Sequence, residues 1–143
     1  MPRELTESER QEFLAAKHVA VLSVAATDGR PPASIPIWYD YTPGGEAWVL
    51  TGATSKKAQL IRTAGRFTLM IEQSDPTVRY VSVEGPVARE EPSTPELLRA
   101  MAARYLPPEK VDGYLEMGNR QHEENVVFYL RPEHWLSADL GAI

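Results

Sequence analysis

The apolar residues of this chain come in short runs, and residues that favour turns separate them. Thr27-Asp28-Gly29-Arg30 and Pro43-Gly44-Gly45 divide the first three runs, as is usual for β-hairpins. Pro36 removes one ladder donor and marks an edge, a bulge or a barrel corner. Hairpin-linked strands favour an antiparallel barrel over a parallel doubly wound sheet. Six strands are predicted, over 19–26, 33–41, 46–51, 66–72, 78–91 and 124–130.

Small helices are predicted where the strands connect, which makes the expected fold class α+β. Thr6-Glu7-Ser8-Glu9 fits a capping box and predicts a first helix that ends near His18. A second helix runs from Lys56 to about Ala64, where Gly65 can close it in the left-handed conformation. Thr94-Pro95-Glu96 begins a third, which ends before Pro107, and the segment 111–117 predicts a short fourth.

Composition excludes several classes of protein. A length of 143 residues predicts one domain over 1–143. A formal net charge of -5 argues against a nucleic-acid partner, because no general basic field would attract a polyanion. The chain has no cysteine, which rules out disulfides, thiolate nucleophiles and iron–sulfur clusters. No apolar run is long enough to span a bilayer, so the expectation is a cytoplasmic protein without a membrane partner.

Two lysines stand where a helix favours carboxylates. Lys56 and Lys57 occupy the first turn of the second predicted helix, at the positive end of its dipole. An anion there would offset the mismatch, since free backbone N–H groups and both ammonium groups could bind it. Hydroxyl groups precede the lysines in the same turn, on Thr51, Thr54 and Ser55. The sequence therefore predicts a phosphate-bearing ligand, and the alternative is a pair of solvated surface lysines.

A second candidate is the segment Ser34-Ile35-Pro36-Ile37-Trp38. A flat heterocycle needs an apolar slot with a few backbone groups at its edge, and Pro36, Ile37 and Trp38 could provide one. The alternative is that the isoleucines are core residues and Trp38 is a packed outer aromatic. Trp135 likewise is either a core plug or a stacking group.

Other chemistry has little support in the sequence. The histidines, His18, His122 and His134, do not have metal-ligand spacing, so no metal site is predicted. The adjacent pairs Glu90-Glu91 and Glu123-Glu124 would diverge in regular structure and are interpreted as solvated charge. No hydrolase motif is present, and no catalytic side chain is identified.

Three parts of the sequence carry a family resemblance, and one of them, the run from Arg79 to Gly85, is similar to the strand that follows the flavin-phosphate segment in the family named next. The run from Leu50 to Leu60 followed by Arg66-Phe67-Thr68-Leu69-Met70 resembles the flavin-phosphate segment of the pyridoxamine 5'-phosphate oxidase-like split-barrel superfamily. The closing run from Val126 to Trp135 is similar to that superfamily's last strand and tail.

The resemblance implies a six-stranded antiparallel split β-barrel that forms a homodimer with cofactors at the dimer interface. By position, Thr51, Ser55, Lys56 and Lys57 would hold the phosphate, and Pro36, Ile37 and Trp38 would flank the ring. Tyr80 and Trp135 would come from the partner subunit.

The sequence differs from the oxidase pattern in two ways, and both differences bear on which cofactor is expected. The first cation is Lys56 where the oxidases typically have arginine, and no arginine- and histidine-bearing tail follows Trp135. The pattern is more similar to the branch that uses the deazaflavin coenzyme F420 to reduce unsaturated small organic substrates. Flavin mononucleotide (FMN) is the alternative cofactor, and a non-catalytic cofactor carrier or small-molecule binder is a further alternative.

Overall fold

A computed structural model gives the fold of residues 2–120 and 124–141. The helices are α1 (Glu7–Ala15), α2 (Lys56–Ala64), α3 (Pro95–Tyr105) and α4 (Pro108–Arg120). The strands are β1 (Ala20–Val24), β2 (Ala33–Ile37), β3 (Tyr39–Tyr41), β4 (Ala47–Gly52), β5 (Arg66–Gln73), β6 (Val78–Pro92), β7 (Asn125–Leu130) and β8 (His134–Gly141).

All strand pairings are antiparallel, and the sheet is strongly curled. Its order is β2-β1-β5-β6-β7-β4-β3, and β8 pairs with the first half of β6 on the edge opposite β5. The two ends of this order, β2 and β3, are separated in the chain by Trp38 alone. A sheet whose first and last strands are joined by a single residue must bend round on itself, which is consistent with a split barrel.

The long strand β6 holds the two parts of the sheet together. Its residues 79–86 pair with β5, and its residues 87 and 89–92 pair with β7, with a register shift between Val87 and Arg89. Gly85 lies at this change of partner, where a Cβ atom would overlap the carbonyl oxygen of Arg131. Near Gly85, therefore, the strand passes from one half of the sheet to the other.

The core lies inside the curled sheet and is closed by helices. Leu22, Leu69, Val83 and Phe128 are at most 1% exposed and come from four different strands. Helix α1 adds Leu14, and α2 adds Leu60 and Ile61. Burial of these apolar side chains is the main favourable contribution to folding.

Helix ends follow the predicted local signals closely. Thr6 and Glu9 form both halves of the capping box, Ser55 caps α2, and Gly65 ends α2 with a φ of 72°. Helix α3 begins after the Thr94 cap. The prediction that α1 reaches His18 was wrong, since the helix ends at Ala15.

The fold class α+β is confirmed, but the expected strand count is not. The predicted strand 33–41 is interrupted at Trp38, because the N–H and C=O of Tyr39 lie 3.1 and 2.9 Å from the Tyr105 hydroxyl on α3. Strand β8 was missed because its residues, from His134 to Gly141, have no clear alternation and are half exposed. Pro36 lies, as expected, in a strand at the end of the sheet order, β2. Among the described residues, no helix has the length and apolar character needed to cross a membrane.

Candidate functional site

The junction between β4 and α2 has the conformation that the sequence indicates. Ser55 Oγ accepts a hydrogen bond from the backbone N–H of Ala58 (3.1 Å) and lies 3.1 Å from Thr51 Oγ1. Thr51 is only 6% exposed. The first turn of α2 contains no acidic residue, so its positive dipole end faces two lysines without local compensation. Thr54 is exposed beside them.

The two lysines differ in position. Lys56 is exposed, whereas Lys57 is half-buried and lines a cavity. Within the part of the chain that the structure describes, neither lysine has a carboxylate within ion-pair distance. Arginines nearby are paired instead, as in Arg62–Glu90 at 2.8 Å and Arg89–Glu46 at 2.6 Å. The free positive charge of this region therefore belongs to Lys56 and Lys57.

One cavity of about 270 Å³ unites the two separate sequence predictions. Lys57 from α2 lines it together with Pro36, Ile37 and Trp38, which end β2 and follow it. The remaining walls come from Val19, Leu50, Leu98, Met101, Tyr114 and Asn125. We name this space the Lys57 cavity. It is an apolar and aromatic slot with a single cation at its edge, which suits a flat heterocycle that carries an anionic group.

Helix α3 holds Trp38 in place at the cavity wall. The Tyr105 ring stacks on the Trp38 indole with centroids 4.7 Å apart and planes 8° apart. The Tyr105 hydroxyl lies 2.7 Å from the His18 carbonyl oxygen and 2.9 Å from that of Tyr39, and it accepts from the Tyr39 N–H at 3.1 Å. Tyr114 of α4 adds a tilted contact to Trp38 at 5.6 Å. The indole is thus positioned by the α3–α4 hairpin as well as by its own strand.

A larger cavity, of about 740 Å³, lies next to the Lys57 cavity. Leu98 and Asn125 line both spaces. The other walls of the larger space, which we name the hairpin cavity, are Pro92, Ser93, Thr94, Pro95, Arg99, Leu115, Gly118, Glu124 and Val126. The two cavities are therefore neighbours that meet between α3 and the start of β7.

Tyr80 and Trp135 do not lie at the Lys57 cavity. They line a separate surface cleft of about 400 Å³ that also contains Arg3 and Arg10. The Arg10 guanidinium lies 4.8 Å from the Trp135 ring centroid, and the indole contacts Tyr41 edge-on at 6.1 Å. Trp135 is partly buried and packs against the core. Within one chain this position agrees with the interpretation of Trp135 as a core plug.

The chemistry available at the Lys57 cavity is narrow. Among the wall residues that the structure describes, only Lys57 and Tyr114 carry a titratable group, so none of these residues offers a carboxylate or an imidazole as a general acid or base. Outside the cavity, burial lowers the pKa of His18 and raises that of Tyr39, whose hydroxyl donates to the Leu14 carbonyl at 2.6 Å. Both groups are neutral and structural at neutral pH.

No metal centre is visible in the described ranges 2–120 and 124–141, which contain no cluster of three or more histidines and carboxylates suited to an ion. His122, one of the three histidines considered, lies outside the described residues, as does Glu123.

The sequence analysis did not assign several residues of the site, among them Tyr105, Tyr114 and Asn125. Tyr105 follows Leu98 and Met101 at helical spacing on α3, so the helical period was a usable signal for it. Tyr114 lay in the predicted short helix without a partner to indicate its role. Nothing local distinguishes Asn125, because its importance depends on which elements meet at the start of β7.

The chain was compared with family models, with curated proteins and with solved structures. A family model described as pyridoxamine 5'-phosphate oxidase matches residues 6–138. No curated protein matches the chain.

Solved structures share the fold. A conserved hypothetical protein from Mycobacterium tuberculosis is 26% identical, with 94% of this chain and 85% of that chain covered and a TM-score of 0.70. An F420 reductase is 20% identical, with 88% and 94% covered and a TM-score of 0.69. A FAD-binding protein from Mesorhizobium loti is 18% identical, with 99% of each chain covered and a TM-score of 0.67.

Proposed function

Because this chain belongs to the pyridoxamine 5'-phosphate oxidase family, we propose that it is an oxidoreductase of the deazaflavin-dependent kind. Its cofactor is coenzyme F420, and its substrate is an unsaturated small organic molecule that accepts a hydride. The observation that carries the proposal is the Lys57 cavity, in which a cation at a helix start shares one space with Pro36, Ile37 and Trp38. An F420 reductase has the same fold, which supports the choice of cofactor.

The residues at the start of α2 fit a phosphate group. Lys56 and Lys57 have no carboxylate partner among the described residues, and the first-turn N–H groups of a helix have no partner within the helix. Ser55 already accepts from Ala58, so its own hydroxyl hydrogen remains for Thr51 or for a phosphate oxygen. A phosphate here would offset the charge mismatch and receive charge-assisted hydrogen bonds.

The cavity itself fits a ring rather than a whole cofactor. Its volume of about 270 Å³ lies just below the range of about 300–1,000 Å³ that is usual for complete small-molecule sites. The ring would lie against Pro36, Ile37 and Trp38, and the phosphate would lie outside, towards α2. Reduced deazaflavin supplies the hydride when bound, so the protein needs to orient the ring and exclude water rather than to provide an acid or a base.

We also propose that the protein is a homodimer, because one outer face of the sheet carries an exposed apolar row. Pro36, Val21, Met70, Ser82 and Leu136 are in register across five strands. Met70 is 37% exposed and Leu136 is 69% exposed. Exposed apolar side chains in such a row favour an interaction site, even with Ser82 between Met70 and Leu136, and a two-fold axis would pair the row with its own copy.

The dimer would connect the two separated groups of predicted site residues. Pro36, at one end of the row, lines the Lys57 cavity, whereas Leu136, at the other end, lines the cleft with Tyr80 and Trp135. An isologous contact brings one end of the row over the other, so the partner's cleft would approach the ring site. Leu136→Glu should therefore dissociate the dimer in analytical ultracentrifugation. Thr63→Glu, on the exposed side of α2, is the matched control.

FMN is the second candidate cofactor, because a FAD-binding protein, whose ring is also a flavin, has this fold over 99% of both chains. Titration of the purified protein with F420 and with FMN, followed by fluorescence, separates the two. Tight FMN binding with no response to F420 would make FMN, rather than F420, the preferred cofactor. A protein that binds reduced F420 but oxidises it with none of a panel of enones and tetrapyrroles would be a carrier.

The phosphate contact has its own test. Lys57→Ala should weaken cofactor binding by about 1–3 kcal/mol, the value of a charge-assisted hydrogen bond. Lys110→Ala removes an exposed lysine of α4 and should leave the affinity unchanged. Equal affinities of the Lys57→Ala and Lys110→Ala proteins would remove Lys57 from the site.

A further inference from the structure

We propose that the hairpin cavity binds the substrate, that it selects neutral carbonyl compounds, and that Asn125 positions the carbonyl group where this cavity meets the Lys57 cavity. This inference rests on the proposed function, since it places a substrate beside the proposed ring site. It adds a binding compartment and a specificity residue that the proposed cofactor site does not include.

The size and position of the hairpin cavity suit a small molecule. Its volume of about 740 Å³ lies within the usual range for ligand sites, whereas the Lys57 cavity is filled by a ring alone. The two spaces share Leu98 and Asn125, so a molecule in the hairpin cavity lies beside the Lys57 cavity. The remaining wall combines apolar residues with polar ones, and its apolar part is Pro92, Pro95, Leu115 and Val126.

Asn125 is held rigidly at the meeting point. It pairs with Gly52 in the β4–β7 register, and its carbonyl oxygen accepts from the Ser93 N–H at 3.0 Å. The neighbouring pair two residues along is Leu50 with Val127, so strand alternation puts the Asn125 side chain on the same face as Leu50, which lines the Lys57 cavity. Gly52, opposite Asn125, has no side chain to fill the space beside the carboxamide.

The carboxamide is also available for a ligand. Within the described part of the chain, the Asn125 side chain makes no hydrogen bond to the protein. An amide offers two N–H donors and one acceptor oxygen, so it can bind a carbonyl oxygen directly. Asn125 is half-buried, and its backbone is already hydrogen-bonded within the protein. A polar side chain held in this way on a strand can fix the orientation of a ligand.

Charge at the hairpin cavity favours a neutral substrate. Arg99 is paired with Asp112 at 2.9 Å, so its charge is already compensated. Glu124, at the other side, has no cationic partner among the described residues. Among the described wall residues the uncompensated charge is therefore negative, and it would repel an anionic substrate.

Isothermal titration of the protein with benzalacetone, a neutral enone, and with cinnamate, its carboxylate analogue of similar shape, tests the proposal. The titrations are run with and without oxidised F420. Benzalacetone should bind more tightly than cinnamate. Asn125→Leu should weaken benzalacetone binding about three- to tenfold, the effect of one neutral hydrogen bond. Glu124→Gln should strengthen cinnamate binding and so reduce the preference for benzalacetone.

The proposal is overturned if benzalacetone does not bind the unsubstituted protein, if cinnamate binds as tightly, or if Asn125→Leu, shown to be folded by its melting temperature, keeps full affinity. Should Asn125→Leu fail to fold, the Glu124→Gln comparison decides alone. Lys57→Ala and Asn125→Leu separate the two proposals: the larger loss should be in cofactor affinity for the first and in enone affinity for the second. Asn125-dependent enone binding in a protein that binds no F420 would leave the substrate cavity standing without the proposed function.

Discussion

The Tyr105 hydroxyl links three parts of the chain that are distant in sequence, and Tyr105→Phe removes only that group. The ring that stacks on Trp38 at 4.7 Å remains, so the variant isolates the polar contacts. The hydroxyl accepts from the Tyr39 N–H and can donate to one of two carbonyl oxygens at a time, those of His18 and Tyr39. Two hydrogen bonds are therefore lost.

The expected loss of stability in Tyr105→Phe follows from the loss of two hydrogen bonds. At about 0.5–1.5 kcal/mol each, two bonds are worth about 1–3 kcal/mol of unfolding free energy. For a chain of this size about 1 kcal/mol shifts the melting temperature by about 3 °C, so the shift should be about 3–9 °C downward. Because Tyr105 also orders Trp38, affinity for the cofactor should fall as well.

Tyr114→Phe is the matched control, measured by the same calorimetric scan. Tyr114 also contacts the Trp38 ring, but it is 40% exposed, and its hydroxyl bonds to no described residue. It should melt within about 1 °C of the unsubstituted protein, as expected for a surface change of under about 0.5 kcal/mol. Equal melting temperatures for the Tyr105→Phe and Tyr114→Phe proteins would refute the role given to the Tyr105 hydroxyl.

Three further predictions concern the scaffold. Gly85→Ala should destabilise the protein by at least about 3 kcal/mol in urea unfolding, because its Cβ would overlap the Arg131 carbonyl and backbone cannot move aside easily; a cost under about 1 kcal/mol would contradict the close approach. Gly65→Ala, at a φ of 72° with open space around it, should cost only about 1 kcal/mol, from the left-handed conformation alone. Hydrogen bonds from Arg3 hold the pKa of Glu9 at about 2, below its ordinary 4.5. This carboxylate therefore stabilises the fold above pH 4.5, and the contribution is lost as the pH falls to about 2. Glu9→Gln should make the free energy of unfolding less dependent on pH between about 4.5 and 2, and an unchanged pH dependence would rule out this role of Glu9.

Much of the local structure could be predicted from the sequence, because short-range interactions decide it. The Thr6–Glu9 capping box, the Ser55 start of α2 and the Gly65 end each involve residues no more than a few positions apart. The strands of the barrel follow in the same way from short apolar runs between turns. The predicted end of α1, near His18, was wrong by about one helical turn, because the helix ends at Ala15.

Sequence alone also identified Lys57, Pro36, Ile37 and Trp38 as candidates, and the family resemblance assigned them to the phosphate and the ring of one cofactor. Only the tertiary structure brings them to one cavity, since β2 and α2 come together through the curl of the sheet rather than through neighbouring positions. The same applies to Tyr105, whose hydroxyl interrupts the predicted strand at Trp38 from 66 residues away. Contacts across such distances depend on packing of the whole core, which no local pattern encodes.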